Sequence, residues 1–112
     1  MSAGALCTPW MVAMALAAGL VLPGQAMSAG QVHTVRIEGM KFLPERIEVS
    51  KGDTVEWVNG DLVPHTVTAA SASIESGSIA PKARWRWTAA RAGETSYACR
   101  FHPGMRGTLL VK

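Results

Sequence analysis

The fold is decided by the C-terminal stretch of the chain, and residues 84–112 have the sequence RWRWTAARAGETSYACRFHPGMRGTLLVK. Within residues 84–88 and 96–100, apolar side chains alternate with polar ones. This alternation is the period of a β-strand that is buried on one face. Residues 107–112 form a third β-type run, which follows the turn formers Pro103-Gly104. The stretch therefore predicts three short strands joined by turns.

Further runs with a period of two lie closer to the N-terminus. They are separated by turn-forming sequences and comprise residues 34–38, 46–50, 54–57 and 65–69. No long helical pattern competes with them. We therefore predict an all-β fold, a Greek-key β-sandwich of about seven short antiparallel strands. The serine-rich connection at residues 70–83 is predicted to be a surface loop.

The N-terminal third of the chain differs in composition, because all 11 basic and all 8 acidic side chains lie in residues 36–112. The apolar stretch from Met11 to Leu22 is shorter than the roughly 20 residues that span a bilayer. Small residues follow it up to Ala26, as at a cleavage site. We predict a signal peptide at residues 1–26, export to the periplasm, and one domain at residues 27–112 with no membrane attachment after cleavage. A retained membrane anchor is the alternative.

Removal of this segment leaves a single cysteine. Cys7 belongs to the predicted signal peptide, so the mature chain keeps only Cys99. A lone cysteine in an oxidising compartment needs an explanation, since a free thiol there is prone to oxidation or wrong pairing. A metal ligand, a reactive thiol and a buried bystander are the three possibilities.

Side chains that bind metals are concentrated in the loop from Cys99 to Met105. Cys99, His102 and Met105 recur every three residues, and the turn at Pro103-Gly104 is expected to bring them together. His65 is a fourth candidate, because it shares a strand face with apolar neighbours and therefore points toward the interior. A thiolate, two imidazoles and a thioether form the donor set of type 1 copper, whereas a thioether is a poor ligand for zinc. The sequence therefore predicts one copper ion.

Several short motifs accompany this loop. They are GDTVEWVN at residues 52–59, Pro64-His65, Ala92-Gly93, and the loop C-x2-H-x2-M with its continuation Arg106-Gly107. With these motifs, the chain from Arg36 onward resembles the cupredoxins, most closely those of the amicyanin type. The resemblance implies the ligand set His65, Cys99, His102 and Met105. It also implies that His102 is the exposed ligand through which the electron passes.

The chain departs from this family at two residues near the ligands. Thr66 stands where amicyanin-type proteins have an asparagine that ties the two ligand loops together, and its hydroxyl is expected to do part of that work. Phe101 stands where the short loop usually has proline. The N-terminus of the predicted mature chain is also shorter than in the family, so an edge strand is expected to be missing. These departures affect the reduction potential and the partner surface rather than the ligand set.

These features together predict a monomeric periplasmic electron carrier with one type 1 copper that cycles between Cu(I) and Cu(II). The resemblance implies a dehydrogenase as electron donor and a c-type cytochrome as acceptor. Copper delivery or storage is the alternative function. An enzyme is not predicted, since the sequence offers one metal site and no nucleophile paired with a base.

The net charge of +3 at pH 7 lies wholly in residues 36–112. Its basic residues do not form a cluster or an aromatic-interleaved stripe, so nucleic acid is not predicted as a partner. The charge favours encounter with acidic redox partners instead. Arg100 and Arg106 flank the metal-binding loop and are the predicted steering charges. His33 is assigned no metal-binding role.

Overall fold

The computed structural model describes residues 30–112, together with the isolated residues Gly4 and Gly19. Apart from those two glycines, the predicted signal peptide at residues 1–26, including Cys7, lies outside the described residues. Among the residues that are described, none belongs to a helix long and apolar enough to cross a membrane.

The described chain forms two β-sheets with a hydrophobic core between them, which confirms the predicted β-sandwich. Sheet A has the strand order β2-β1-β4-β7, and sheet B has the order β3-β9-β8-β5-β6. The elements are β1 (Val32–Glu38), β2 (Lys41–Leu43), β3 (Arg46–Val49), β4 (Thr54–Asn59), β5 (Thr68–Ala69), a 3₁₀ helix (Ala70–Ala72), β6 (Ile74–Glu75), β7 (Arg84–Thr88), β8 (Gly93–Ala98) and β9 (Arg106–Val111).

Both sheets are mixed, so the prediction of antiparallel strands throughout is wrong. β1 pairs with β4 in parallel, with Val32 opposite Thr54. β3 likewise pairs in parallel with β9, with Arg46 opposite Thr108. Alternation along a strand shows which face is buried, but it carries no information about the direction of the neighbouring strand.

The serine-rich segment at residues 70–83 is only partly a surface loop, and this prediction is corrected. It contains the 3₁₀ helix and β6, and it buries Ile74 and Ile79 in the core. Ile79 forms an isolated antiparallel bridge with His65. The predicted strand at residues 65–69 is accordingly shorter, because only Thr68 and Ala69 belong to β5.

Aromatic side chains fill the centre of the core. The ring of Tyr97 lies edge-on to Phe42 at 4.7 Å and to Trp57 at 5.5 Å between centroids. Gly107 faces Tyr97 across the β8–β9 pair, and a Cβ atom there would approach the tyrosine hydroxyl to 2.4 Å. Glycine at this position therefore gives the ring the space that it occupies.

Tyr97 provides a test of this packing at alkaline pH. Burial raises the pKa of Tyr97 from 10.0 to about 12. Between these values the unfolded chain loses the phenolic proton while the native protein keeps it, so we expect the free energy of unfolding to fall as pH rises. The loss over this window is about 3 kcal/mol, measured by urea denaturation across the pH range.

Tyr97→Phe is the matched control, because its stability should lack this alkaline slope. The Tyr97 hydroxyl and the Trp57 Nε1–H are both buried without a close hydrogen-bond partner among the described residues, so removing the hydroxyl breaks no well-formed hydrogen bond. Since the chain has one tyrosine, its ultraviolet titration is unambiguous. Reversible ionisation near pH 10 in the folded protein would contradict the prediction.

Candidate metal centre

The backbone of His65 is held by two hydrogen bonds to Ile79, independently of any contact of its side chain. Its N–H donates to the Ile79 carbonyl at 3.2 Å, and the Ile79 N–H donates to the His65 carbonyl at 2.7 Å. The residue is completely buried, as its predicted inward orientation requires. The bridge therefore fixes the imidazole at the end of the core.

The loop between β8 and β9 is closed by three backbone hydrogen bonds. The Cys99 N–H donates to the Met105 carbonyl at 3.0 Å, and the Met105 N–H donates to the His102 carbonyl at 2.8 Å. The His102 N–H donates to the Cys99 carbonyl at 3.3 Å. The loop is thus two successive tight turns, which is the compact form that Pro103-Gly104 predicts.

Three of the four predicted ligands meet at one point. The Cys99 Sγ atom lies 3.7 Å from His65 Nδ1 and 3.8 Å from His102 Nδ1, and the three atoms lie within 4.8 Å of one another. Met105 is buried in the same loop, with 4% of its surface exposed. His33 is elsewhere, with its Nε2 atom 2.9 Å from Asp53.

The distances among these atoms fit a single metal ion. Zinc serves as a guide to the spacing of such ligands around one metal ion. The zinc–sulfur distance is about 2.3 Å and the zinc–nitrogen distance about 2.0–2.1 Å, so a sulfur and a nitrogen about 120° apart around the metal are separated by roughly 3.8 Å. Both separations from Cys99 Sγ match this value. A trigonal set of one thiolate and two imidazoles, with a methionine beside it, is the arrangement that binds type 1 copper.

Asp61 orients the His65 ring from the side opposite Cys99. The sequence does not predict this role. Its carboxylate accepts the His65 Nε2–H at 2.8 Å. Partial burial favours the neutral acid, but hydrogen bonds from the Met40 N–H, the His65 ring and the Gly39 N–H keep the pKa of Asp61 below its usual value. An ionised Asp61 holds the proton on Nε2, which leaves the lone pair of His65 Nδ1 facing Cys99.

Asn59 shapes the loop that carries Asp61. Its buried side chain donates to the carbonyls of Val63 and Ile79, both at 2.9 Å, and accepts the Asp61 N–H at 2.9 Å. In the sequence, Asn59-Gly60-Asp61 indicates only a turn. The contact between Asp61 and His65 depends on the fold of this loop, so the sequence contains no signal that identifies the carboxylate as a partner of the ligand.

Thr66 ties the two ligand loops together, which confirms the role expected for its hydroxyl. Its Oγ1 atom accepts the Arg100 N–H at 2.8 Å. Its own N–H donates to Cys99 Sγ at 3.3 Å, a contact that helps to fix the position of the sulfur. A second hydroxyl, that of Thr68, lies 2.9 Å from Thr66 Oγ1.

Replacing Thr66 by valine tests this tie. Valine keeps the shape of the side chain but removes the acceptor of the Arg100 N–H, so we expect the protein to lose about 1–2 kcal/mol of stability to urea. Thr108→Val is the matched control, because Thr108 is a partly exposed residue of β9 whose hydroxyl makes no side-chain hydrogen bond within residues 30–112, and its cost should stay within about 0.5 kcal/mol. Equal stability of the two variants would contradict the proposed tie.

The outer side of the centre is apolar. His102 is partly exposed, whereas His65 and Cys99 are buried. Leu62 and Phe101, in the two loops that carry the histidines, are 89% and 50% exposed. Such exposed apolar side chains are typical of a docking surface.

The two predicted steering charges differ in their surroundings. The Arg100 guanidinium forms an ion pair with Glu75. Arg106 donates from Nε to the Pro103 carbonyl at 3.3 Å, and no carboxylate in the described part of the chain pairs with it. Arg106 is therefore the charge that a partner meets beside the loop.

Comparison with known proteins agrees with this geometry. Amicyanin from Paracoccus versutus is 35% identical over 83 residues, and amicyanin from Paracoccus denitrificans is 31% identical. Each match covers 70% of this chain but 63% of the relative, so the chain spans less than two thirds of the length of these relatives.

Solved structures give the same picture. A Cu(I) form of an amicyanin variant superposes with a TM-score of 0.69 at 30% identity, covering 75% of this chain and 85% of that one. A copper-containing nitrite reductase from Thermus scotoductus gives 0.67 at 28% identity, covering 71% of this chain but 22% of that one. A family model described as the cupredoxin-like domain matches residues 10–111. The chain therefore belongs to the family of cupredoxin-like domains.

Proposed function

We propose that the protein is an electron carrier with one type 1 copper, held by His65, Cys99, His102 and Met105. The observation that carries this proposal is the meeting of the Cys99 thiol with two imidazole nitrogens at the spacing that one metal ion requires. The similarity to amicyanins supports it. Adding Cu(II) to the protein and recording its visible spectrum tests this proposal.

The protein surroundings of the site suit electron transfer because they resist movement. Bound copper would supply the one-electron couple between Cu(I) and Cu(II). The backbone bridge to Ile79 and the Asp61 carboxylate hold the His65 ring from two sides. The Thr66 N–H and the turns of the loop hold Cys99. With donors fixed in this way, little of the protein has to rearrange when the charge of the site changes.

His102 is the proposed exit for the electron. Its ring is partly exposed and lies 5.4 Å from the His65 ring between centroids. Leu62 and Phe101 offer an apolar surface on which a redox partner can dock without desolvating charges. We propose redox proteins as partners, with a dehydrogenase as donor and a c-type cytochrome as acceptor.

A carrier accounts for the chain better than an enzyme does. Of its three histidines, two belong to the proposed centre and the third, His33, is bound to Asp53. The nitrite reductase that it resembles is much longer, and this chain matches about a fifth of it. We further propose that the protein is exported to the periplasm by residues 1–26 and acts there as a monomer.

The charge beside the centre leads to a prediction on electron-transfer rate. Oxidation of the reduced protein by ferricyanide, an anion, should slow as salt rises, because surface charges are screened over about 8–10 Å. Arg106→Gln should lower the low-salt rate roughly two- to fivefold. Stopped-flow measurement over a range of ionic strength checks both expectations.

The double variant Arg100→Gln/Glu75→Gln is the control, because it removes an ion pair without changing the net charge, and the ferricyanide rate should stay nearly unchanged. A cationic cobalt(III) oxidant should show the opposite dependence on salt. A ferricyanide rate that is independent of salt and unchanged in Arg106→Gln would leave only the apolar surface to guide partners.

A further inference from the structure

A buried carboxylate lies between two arginines on the outer face of sheet A. Glu56 on β4 is 5% exposed, and it accepts hydrogen bonds from Arg84 Nη1 at 3.1 Å and Arg86 Nε at 2.5 Å. Both arginine side chains are more than half exposed. One acid therefore neutralises only one of two charges, and the pair keeps a net positive charge.

The contacts with Glu56 also fix the direction of both guanidinium groups. Arg84 uses one Nη1 donor and Arg86 uses its Nε donor. A guanidinium has five N–H donors, so each arginine keeps several for another acceptor. Arg84 and Arg86 are two positions apart on one strand, so their side chains lie on the same face of the sheet. Their free donors therefore form a row along β7, with the same spacing as alternate side chains of a neighbouring extended segment.

The backbone of β7 is unpaired on the same side. Within residues 30–112, β7 is the edge strand of sheet A. The Ala89 N–H donates to the Asp53 carbonyl, and the Asn59 N–H donates to the Ala83 carbonyl, so both residue pairs at the ends of the β4–β7 ladder are hydrogen-bonded. In an antiparallel ladder, hydrogen-bonded pairs alternate with pairs that are not hydrogen-bonded. The N–H and C=O groups of Arg84, Arg86 and Thr88 consequently point away from β4, toward the free edge.

A groove lined by both apolar and polar side chains lies at the C-terminal end of this edge. Trp85 and Trp87 point inward from β7 but are only half-buried, whereas Trp57 behind them is fully buried. Trp87 lines a cavity of about 430 Å³ together with Ile74 and Leu109 of sheet B. The space between the two sheets is thus open at the C-terminal end of β7, beside Trp87 and Thr88.

We propose that β7 binds an extended acidic segment of a partner protein by strand addition. Acidic side chains at alternate positions of that segment would lie directly opposite Arg84 and Arg86, where opposite charges stabilise a strand pair. The intervening apolar side chains would face Trp87 and the groove. Main-chain hydrogen bonds supply affinity and the alternate side chains supply specificity, as in other strand-addition complexes.

Charge excludes two other occupants of this edge. Residues 1–29 contain no acidic side chain, so that part of the chain has nothing to offer the arginine pair. A second copy that paired through its own β7 would place arginine opposite arginine, which is destabilising. Preventing edge pairing alone would need no buried carboxylate to fix the direction of the arginines.

A short blocked peptide of sequence TEVEVET tests the proposal on the copper-loaded full chain. We expect calorimetry to detect binding, and hydrogen exchange to show new protection at the amides of Arg84, Arg86 and Thr88. Binding should weaken about tenfold for the peptide TQVQVQT and for the double variant Arg84→Gln/Arg86→Gln. Arg36→Gln is the matched control, because that arginine pairs with Glu38 on β1, two strands from the edge, and should bind unchanged.

A TEVEVET peptide with alternate backbone nitrogens methylated tests strand addition on the unaltered protein, and it should not bind. This experiment does not depend on the double variant, which is expected to be less stable because the buried Glu56 carboxylate loses both of its partners. Equal binding of the methylated peptide, or of TQVQVQT, would overturn the proposal. Binding to anionic phospholipid vesicles without binding to TEVEVET would assign the arginines to a membrane surface, and it would overturn the proposal as well.

Discussion

Replacing Cys99 by serine should abolish the intense blue or green absorption that we expect when Cu(II) is added to the protein. This absorption arises from charge transfer between a thiolate and copper, and a serine hydroxyl does not provide it. Cys99 is 1% exposed and serine has nearly the same size, so the sandwich should still form. The visible spectrum and the far-ultraviolet circular dichroism of the variant together check the expectation.

The other cysteine of the chain, Cys7, provides the control for this substitution. Cys7→Ser should leave the colour unchanged, because Cys7 lies in the predicted signal peptide. A colourless copper(II) complex of the parent protein would contradict the assignment of type 1 copper. Colour that survives in Cys99→Ser would contradict the role of Cys99.

Replacing His102 by glycine should stop electron transfer to partner proteins while leaving copper accessible from outside. The substitution removes the one partly exposed ring of the centre, and with it the proposed exit for the electron. Added imidazole can occupy the vacated position and restore the colour, but a free ligand does not restore the docking surface. Spectra and partner oxidation rates with and without imidazole separate the two effects.

Met105→Gln distinguishes the carrier from a protein for copper delivery or storage. A methionine is a weak axial ligand of type 1 copper and tunes its potential more than its retention. We therefore expect the variant to keep copper and to have a lower reduction potential. Loss of copper from this variant, in a protein whose parent transfers no electrons, would favour delivery or storage.

The metal centre is predictable from the sequence to the extent that it is local. Cys99, His102 and Met105 lie within seven consecutive residues, so their spacing alone indicates a site. Asp61 is different, because an aspartate in a turn is common and its meeting with His65 depends on how the loop is folded by Asn59. The alternation of the strands likewise identifies their buried faces.

The pairing of the strands is not encoded in this alternation. β2 and β6 have three and two residues, too few for a period to be recognised. The serine-rich segment that contains β6 looks solvent-exposed in composition, yet its two isoleucines complete the core. Parallel pairing of β1 with β4 and of β3 with β9 is a property of the whole topology, which no single segment reveals.

The parallel pairing of β3 with β9 joins Arg46 to Thr108 and makes sheet B depend on contacts between distant parts of the chain. Chains dominated by such distant contacts fold slowly, because long loops must close before those contacts form. Cys99 lies at the end of β8, beside β9, and is buried only when this sheet is complete. During that delay the thiol is open to oxidants and to the thiols of neighbouring molecules. The yield of native protein is therefore governed by a competition between closure of the sheet and sulfur oxidation, which a reducing agent shifts in favour of folding.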